Sequence, residues 1–189
     1  MSRKSLKLVG VDEAGRGPLA GPVVAAAVSL RYDEPGLRDS KKLSEKQRLM
    51  LFNQITQYHD WAFAVVSSAE IDSYNIHQAS LLAFCRAVDA LNADIDHVMV
   101  DGMHLPKWDY FGSAIIKGDE KVPVISAASI VAKVVRDRIM IDLDQLYPQY
   151  GFAKHKGYPT KMHLDALDQY GPALVHRVSY QPVKIRMKI

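Results

Sequence analysis

The run Val9-Gly10-Val11-Asp12-Glu13-Ala14-Gly15-Arg16-Gly17-Pro18 constrains this chain more than any other stretch. Residues 6–11 are mostly apolar and read as a buried strand ending at Asp12. Two adjacent carboxylates and a turn of glycine, arginine and glycine then follow. Carboxylates of this kind hold hard divalent cations through oxygen. Glycine lets a backbone come close to a ligand where a Cβ would clash. The arginine between the glycines offers a charged fork suited to phosphate. Metal-binding acids beside a phosphate-cradling turn point to phosphodiester chemistry.

The rest of the chain supplies a frame for that site. Apolar runs at 23–30, 61–66, 97–101 and 113–116 read as further strands. Ser44-Glu45-Lys46-Gln47 is a capping box that opens a helix toward Tyr58. A second helix is expected over 76–91, with Leu81, Cys85, Val88 and Leu91 on one face, and a long third over 126–146, with Ile130, Val134 and Ile141 at helical spacing. A loop rich in lysine, histidine, glycine and tyrosine follows Pro148, then a short helix over 160–169. Strands first, then alternating helices and strands, predict an α/β domain with a mixed sheet. The 189 residues fit one domain. The single cysteine, Cys85, excludes an internal disulfide and a cysteine-based zinc site, and its apolar helical run predicts a packed core thiol. No apolar run approaches the roughly 18 residues of a membrane span, and no secretory leader is evident, so a cytoplasmic protein without membrane contact is expected.

Four acids recur in one context: Asp12, Glu13, Asp101 and Asp119 each sit at the end of a strand-like run. Sheet ligands gather at such ends. If the strands are neighbours, the four carboxylates converge and require a cation to offset their repulsion. Taken singly, each serves equally well as a turn residue; Asp101 before Gly102 is itself a turn signal. Spacing alone leaves the two readings even. The glycines at 15, 17 and 21 suggest a dinucleotide-binding turn, but the third comes one place late and a strand-like run follows, so that reading fails. Lys41 and Lys42 precede a helix N-terminus, a plausible phosphate site. Lys154, His155, Lys156 and Tyr158 combine positive charge with an aromatic platform suited to a sugar-phosphate backbone. The seven histidines are scattered without metal-ligand spacing and read as surface or packing residues.

Together these motifs closely resemble the bacterial ribonuclease HII family. The resemblance runs through residues 9–18, Asp39-Ser40-Lys41-Lys42-Leu43, Val100-Asp101-Gly102, Lys117-Gly118-Asp119, residues 125–130, Ala132-Lys133 and residues 155–160. It implies a ribonuclease H-like fold: an α/β architecture with a mixed central sheet flanked by helices and a small helical C-terminal part. It further implies a single catalytic domain over 1–189, whose segment from about 150 to 189 contacts substrate. The implied activity is endonucleolytic hydrolysis of the RNA strand of RNA/DNA hybrids, and cutting 5′ of single ribonucleotides embedded in duplex DNA. Two Mg²⁺ or Mn²⁺ ions would serve, leaving 3′-hydroxyl and 5′-phosphate ends.

Carried over by position, Asp12, Glu13, Asp101 and Asp119 are the implied catalytic and metal-binding carboxylates. Gly15, Arg16 and Gly17 match the turn that reads the ribonucleotide 2′-hydroxyl and the adjoining phosphate, and Tyr158 matches the tyrosine that stacks on the following deoxyribose. Lys41, Lys42, Ser126, Ser129 and Lys156 are implied backbone contacts. The sister family, ribonuclease HIII, carries lysine where Arg16 stands and has a sizeable N-terminal domain, whereas 11 residues precede Asp12 here. A monomer is expected, and the short C-terminus gives no support for sliding-clamp attachment. Two alternatives remain: a same-fold nuclease or strand-transferase without ribonucleotide selectivity, and a non-catalytic nucleic-acid binding module.

Overall fold

A computed structural model describes residues 6–37 and 43–187. Its sheet has five strands in the order β3-β2-β1-β4-β5. β2 (Val23–Ser29) runs antiparallel to both its neighbours, β1 (Leu8–Ala14) and β3 (Asp60–Val66), while β4 (His97–Asp101) lies parallel to β1 and β5 (Gly112–Ile115) parallel to β4. The mixed α/β sheet expected from the sequence is therefore present.

The inner strand β2, Val-Val-Ala-Ala-Ala-Val-Ser, lies between β3 and β1 and is buried throughout. A strand covered on both faces reads as a continuous apolar run instead of an alternating one. Val23, Ala25 and Ala27 join one core with Val9, Val11, Val98 and Val100 and with α2 (Ser68–Asp89). Ala26 and Val28 join a second core with α1 (Glu45–Tyr58) and α4 (Pro123–Leu146). A third core unites Leu19, Ala20 and Met140 with α5 (Phe152–His155), α6 (Lys161–Tyr170) and α7 (Gln181–Lys184). Leu19 and Ala20 belong to the segment after the glycine turn, so the C-terminal helices pack directly behind it.

Several boundaries differ from expectation, each for a physical reason. β1 continues through Asp12 and Glu13 to Ala14 because it keeps pairing with β2, at Asp12↔Ala26, Glu13↔Ala25 and Ala14↔Val24. α2 starts at Ser68, capped by Ser67 in a box with Glu70. Asn75 then breaks it with φ +66° and restarts it, its Oδ1 accepting the amide protons of His77 and Gln78. The expected start at 76 is that second segment. α4 begins at Pro123, whose fixed φ suits the first helical turn. Met140 is the buried residue in its last turns, with Ile141 exposed. Cys85 and Leu81 are half-buried and line a groove beside Leu105 and Lys107, so Cys85 is not a core thiol. Among the described residues no helix is long and apolar enough to cross a membrane.

Candidate active site

The four acids arrive at one end of the sheet from three elements. β1 and β4 are parallel neighbours paired at Val11↔Val100, so Asp12 and Asp101 follow that pair on adjacent strands. β4 pairs with β5 up to Asp101↔Ile115, and the short helix α3 (Gly118–Lys121) follows, carrying Asp119 in its first turn. Asp101 Oδ1 accepts the Gly118 amide proton at 2.7 Å, which ties the end of β4 to the start of α3. Asp12 and Asp119 are buried, while Glu13 and Asp101 are half-buried. Burial, reinforced by the negative charges of Glu13 and Asp101, pushes the Asp12 carboxyl well above its usual range; the Ser129 hydroxyl pulls the other way. Glu13 is also raised, by burial, with Arg16 at 3.2 Å opposing the shift.

Among the described residues, no three His, Cys, Asp or Glu side chains stand close enough to hold an ion together. Glu13 is turned toward Arg16 and Asp101 toward the Gly118 amide. The donor set is nonetheless all carboxylate oxygen at one sheet end, and it includes an acid raised by its burial and by its acidic neighbours. That chemistry fits a hard divalent cation.

Beside the acids lies a cleft of about 500 Å³. Glu13 and Asp119 reach it from the acid cluster, and Gly15, Arg16 and Gly17 form one wall. Gly15 has φ +103°, and a Cβ there would sit 2.0 Å from Arg136 Nε, so only glycine fits. A Cβ on Gly17 would lie 3.4 Å from the Tyr158 ring, so turn and tyrosine face one another. Gly21 leads into β2 and not into a helix, in keeping with the rejection of a dinucleotide turn.

The other expected contacts divide. Ser129 lines the cleft and meets Asp12. Ser126, one turn earlier on α4, is buried and donates its hydroxyl proton to the Leu37 carbonyl, so it does not reach the cleft. The Lys156 ammonium donates to the Ala153 carbonyl. Lys41 and Lys42, with Asp39 and Ser40, lie outside the described residues. Sequence reasoning assigned no site role to Arg48, Lys133 and the buried Arg136, which also line the cleft, or to Arg177, buried behind it. Ser129, Lys133 and Arg136 follow the helical spacing of one α4 face, a signal that was readable. Arg177 carries no local signal.

Arg177 donates from Nη2 to the Gly15 carbonyl at 2.6 Å, from Nη1 to the Arg16 carbonyl at 2.9 Å and from Nε to the Gly21 carbonyl at 3.0 Å. Arg136 donates to the carbonyls of Pro22, Ala20 and Lys156 at 3.0, 3.2 and 3.0 Å. Burial, together with the like charge of Arg177, brings Arg136 down to about 10, leaving it charged at neutral pH.

Beneath Tyr158, His163 and His176 are buried with their Nε2 atoms 3.0 Å apart. The Tyr158 carbonyl 3.0 Å from His163 Nδ1 can only accept, so Nδ1 carries the proton and Nε2 is an acceptor. His176 Nε2 must then donate, leaving its Nδ1 to accept the Ala173 amide proton at 2.9 Å. Both rings are thus neutral in fixed tautomers, and burial lowers each to about 4. Unfolded imidazoles take up protons near 6.5, so between those values the unfolded chain binds more protons and stability falls on acidification. The first buried protonation should cost on the order of 3 kcal/mol, at about 1.4 kcal/mol per pKa unit. Thermal melts from pH 7 to 4, made on Asp12→Asn to remove the opposing titration of that buried acid, should show Tm falling through this window; a flat profile would remove the neutral pair.

The chain matches the family described as Ribonuclease HII over residues 9–183. It is 54% identical over 181 residues to Ribonuclease HII of Francisella tularensis, covering 94% of this chain and 97% of that protein. Ribonuclease H2 from Pyrococcus horikoshii superposes with a TM-score of 0.80 at 29% identity, covering 96% of this chain and 97% of that one. Bst-RNase HIII in complex with Mn²⁺ gives a TM-score of 0.71 at 18% identity over 98% of this chain and 70% of its own, a likeness of fold alone.

Proposed function

Because the chain belongs to the ribonuclease HII family and is a ribonuclease H, we propose that its cleft cuts on the 5′ side of a single ribonucleotide embedded in duplex DNA, in addition to the RNA strand of RNA/DNA hybrids. The observation that carries this reading is the placing of Gly15, Arg16 and Gly17 opposite Tyr158, in a cleft that also holds Glu13 and Asp119. The 2′-hydroxyl is the group that separates RNA from DNA at one site, and a turn that reads it through backbone atoms ignores base identity. Tyr158, 45% exposed, offers its ring to the next sugar. Arg16, Arg48 and Lys133 face the cleft as backbone-phosphate contacts, joined by Ser129; the family resemblance assigns the same role to Lys41, Lys42 and Lys156. The segment from about residue 150 onward supplies the Tyr158 side of the cleft.

Asp12, Glu13, Asp101 and Asp119 are the residues that would hold Mg²⁺ or Mn²⁺. Bound there, the ions would supply two things: a water easily deprotonated into a nucleophile, and positive charge to offset the negative charge developing on the departing 3′ oxygen. The protein groups do the remaining work. Arg16 holds a phosphate oxygen by a charge-assisted hydrogen bond. The turn orients the ribose, and Tyr158 fixes the far side of the step so that the scissile bond meets the acids.

The test is a DNA duplex with one ribonucleotide, incubated with Mg²⁺ or Mn²⁺ beside an all-DNA control. A single cut 5′ of the ribonucleotide is expected, with 3′-hydroxyl and 5′-phosphate ends and no cut in the control. Equal cleavage of both duplexes would instead favour a same-fold nuclease without ribonucleotide selectivity.

A further inference from the structure

Arg136 and Arg177 are about 1% and 0% exposed. Among the described residues, every hydrogen bond of the two guanidiniums ends on a main-chain carbonyl, save one from Arg177 to the Tyr180 hydroxyl. Burying a cation without a carboxylate partner is expensive, and an apolar side chain would fill the same volume more cheaply. What offsets that cost lies in what these arginines hold. What they hold is the inner side of one segment: Gly15, Arg16 and Gly21 by Arg177, and Ala20, Pro22 and the Lys156 carbonyl by Arg136. Tyr180 adds a hydroxyl donor to the Arg16 carbonyl at 2.8 Å. With these carbonyls engaged from behind, the turn cannot rotate its peptide planes, and the groups that face the cleft are fixed by the groups that face away.

We propose that Arg177, supported by Arg136 and Tyr180, is a positioning residue for the Gly15-Arg16-Gly17 turn, setting the orientation in which that turn meets ribose and phosphate. The inference rests on the ribonucleotide-reading function assigned to the turn. Lysine keeps the charge at position 177 but cannot reach three diverging carbonyls at once. Arg177→Lys therefore separates geometry from electrostatics. Tyr180→Phe removes one clamp from the Arg16 carbonyl and leaves both buried cations in place.

The experiment measures both variants beside wild type, with melts to confirm folding and active-site titration to normalise the rates. On the single-ribonucleotide duplex, Arg177→Lys should lower kcat roughly tenfold to a hundredfold, the range expected of a misplacement of about 1 Å. KM and its salt dependence should stay near wild type because the charge is conserved. Tyr180→Phe should shift kcat the same way by a smaller factor. Hydrogen exchange is followed at the amides of Leu19 and Gly21, which bond to Gly157 and Val175 at 2.8 Å each. Exchange there should accelerate in Arg177→Lys while the β2 amides remain protected. Unchanged kcat per active site in both folded variants overturns the proposal, as does unchanged exchange at Leu19 and Gly21. A purely structural role would lower Tm and leave normalised kcat alone. Failure of wild type to distinguish the ribonucleotide duplex from DNA would sink the parent reading instead, and the exchange measurement would still decide the clamp.

Discussion

Asp12→Asn should give a folded protein that melts above wild type in chelator and has lost turnover. The carboxyl is buried beside the charges of Glu13 and Asp101, and its protonation equilibrium is pushed up chiefly by that burial. A group whose folded pKa lies above its unfolded value favours the fold at low pH and opposes it once ionised, so at neutral pH Asp12 works against stability. Asparagine has the same shape, keeps an oxygen for the Glu13 amide proton that Asp12 accepts at 2.7 Å, and carries no charge. In the proposed mechanism catalysis needs the charge that stability resists, the usual exchange at a functional site. Turnover should drop by more than about a thousandfold, beyond the loss of a single hydrogen-bond donor. Added Mg²⁺ or Mn²⁺ should raise the Tm of wild type and raise that of the variant much less. A variant less stable than wild type in chelator, or one that still turns over, would contradict this account of the site.

Gly10→Ala should be strongly destabilising for a single added methyl. Gly10 lies in β1 where the first turn of α4 crosses it, and an added Cβ would stand 2.1 Å from the Val124 carbonyl carbon and 2.4 Å from the Ile125 nitrogen. These are main-chain atoms, so no side chain can swing aside; the helix itself must move. Overpacking usually costs about 1–3 kcal/mol, and this contact belongs at or above the upper end. At roughly 2–4 °C per kcal/mol for a chain of this size, a Tm loss near 10 °C follows. Activity should fall beyond what the lost stability explains, because α4 carries Ser129 and Lys133 to the cleft. A melt within a degree or two of wild type would show that β1 and α4 are not in such close contact.

The frame was legible where the signal is local. The Ser44 capping box opens α1 as expected, the apolar runs became the five strands, and Asp101 stands at the end of its strand. What the sequence concealed depends on contacts between distant residues. β1 extends past its acids because β2 pairs with it there, and nothing in residues 12–14 announces a partner at 24–26. Ser126 and Ser129 are equivalent by type and neighbourhood. The rotation of α4 against Leu37 buries one and turns the other to the cleft. The histidines looked scattered because His163 and His176 pair only after the C-terminal helices close on Tyr150 and Phe152. The Tyr158 loop held its aromatic where expected, but its Lys156 ammonium turned inward to Ala153.

The bond from Arg177 to Gly15 spans 162 residues of chain. During synthesis the acids of β1 emerge long before the arginine that fastens the adjoining turn. A ribosome-bound chain can pair β1 with β2 while Gly15 and Arg16 still lack that fastening. Translation order thus postpones the locking of the turn until Arg177 has been made.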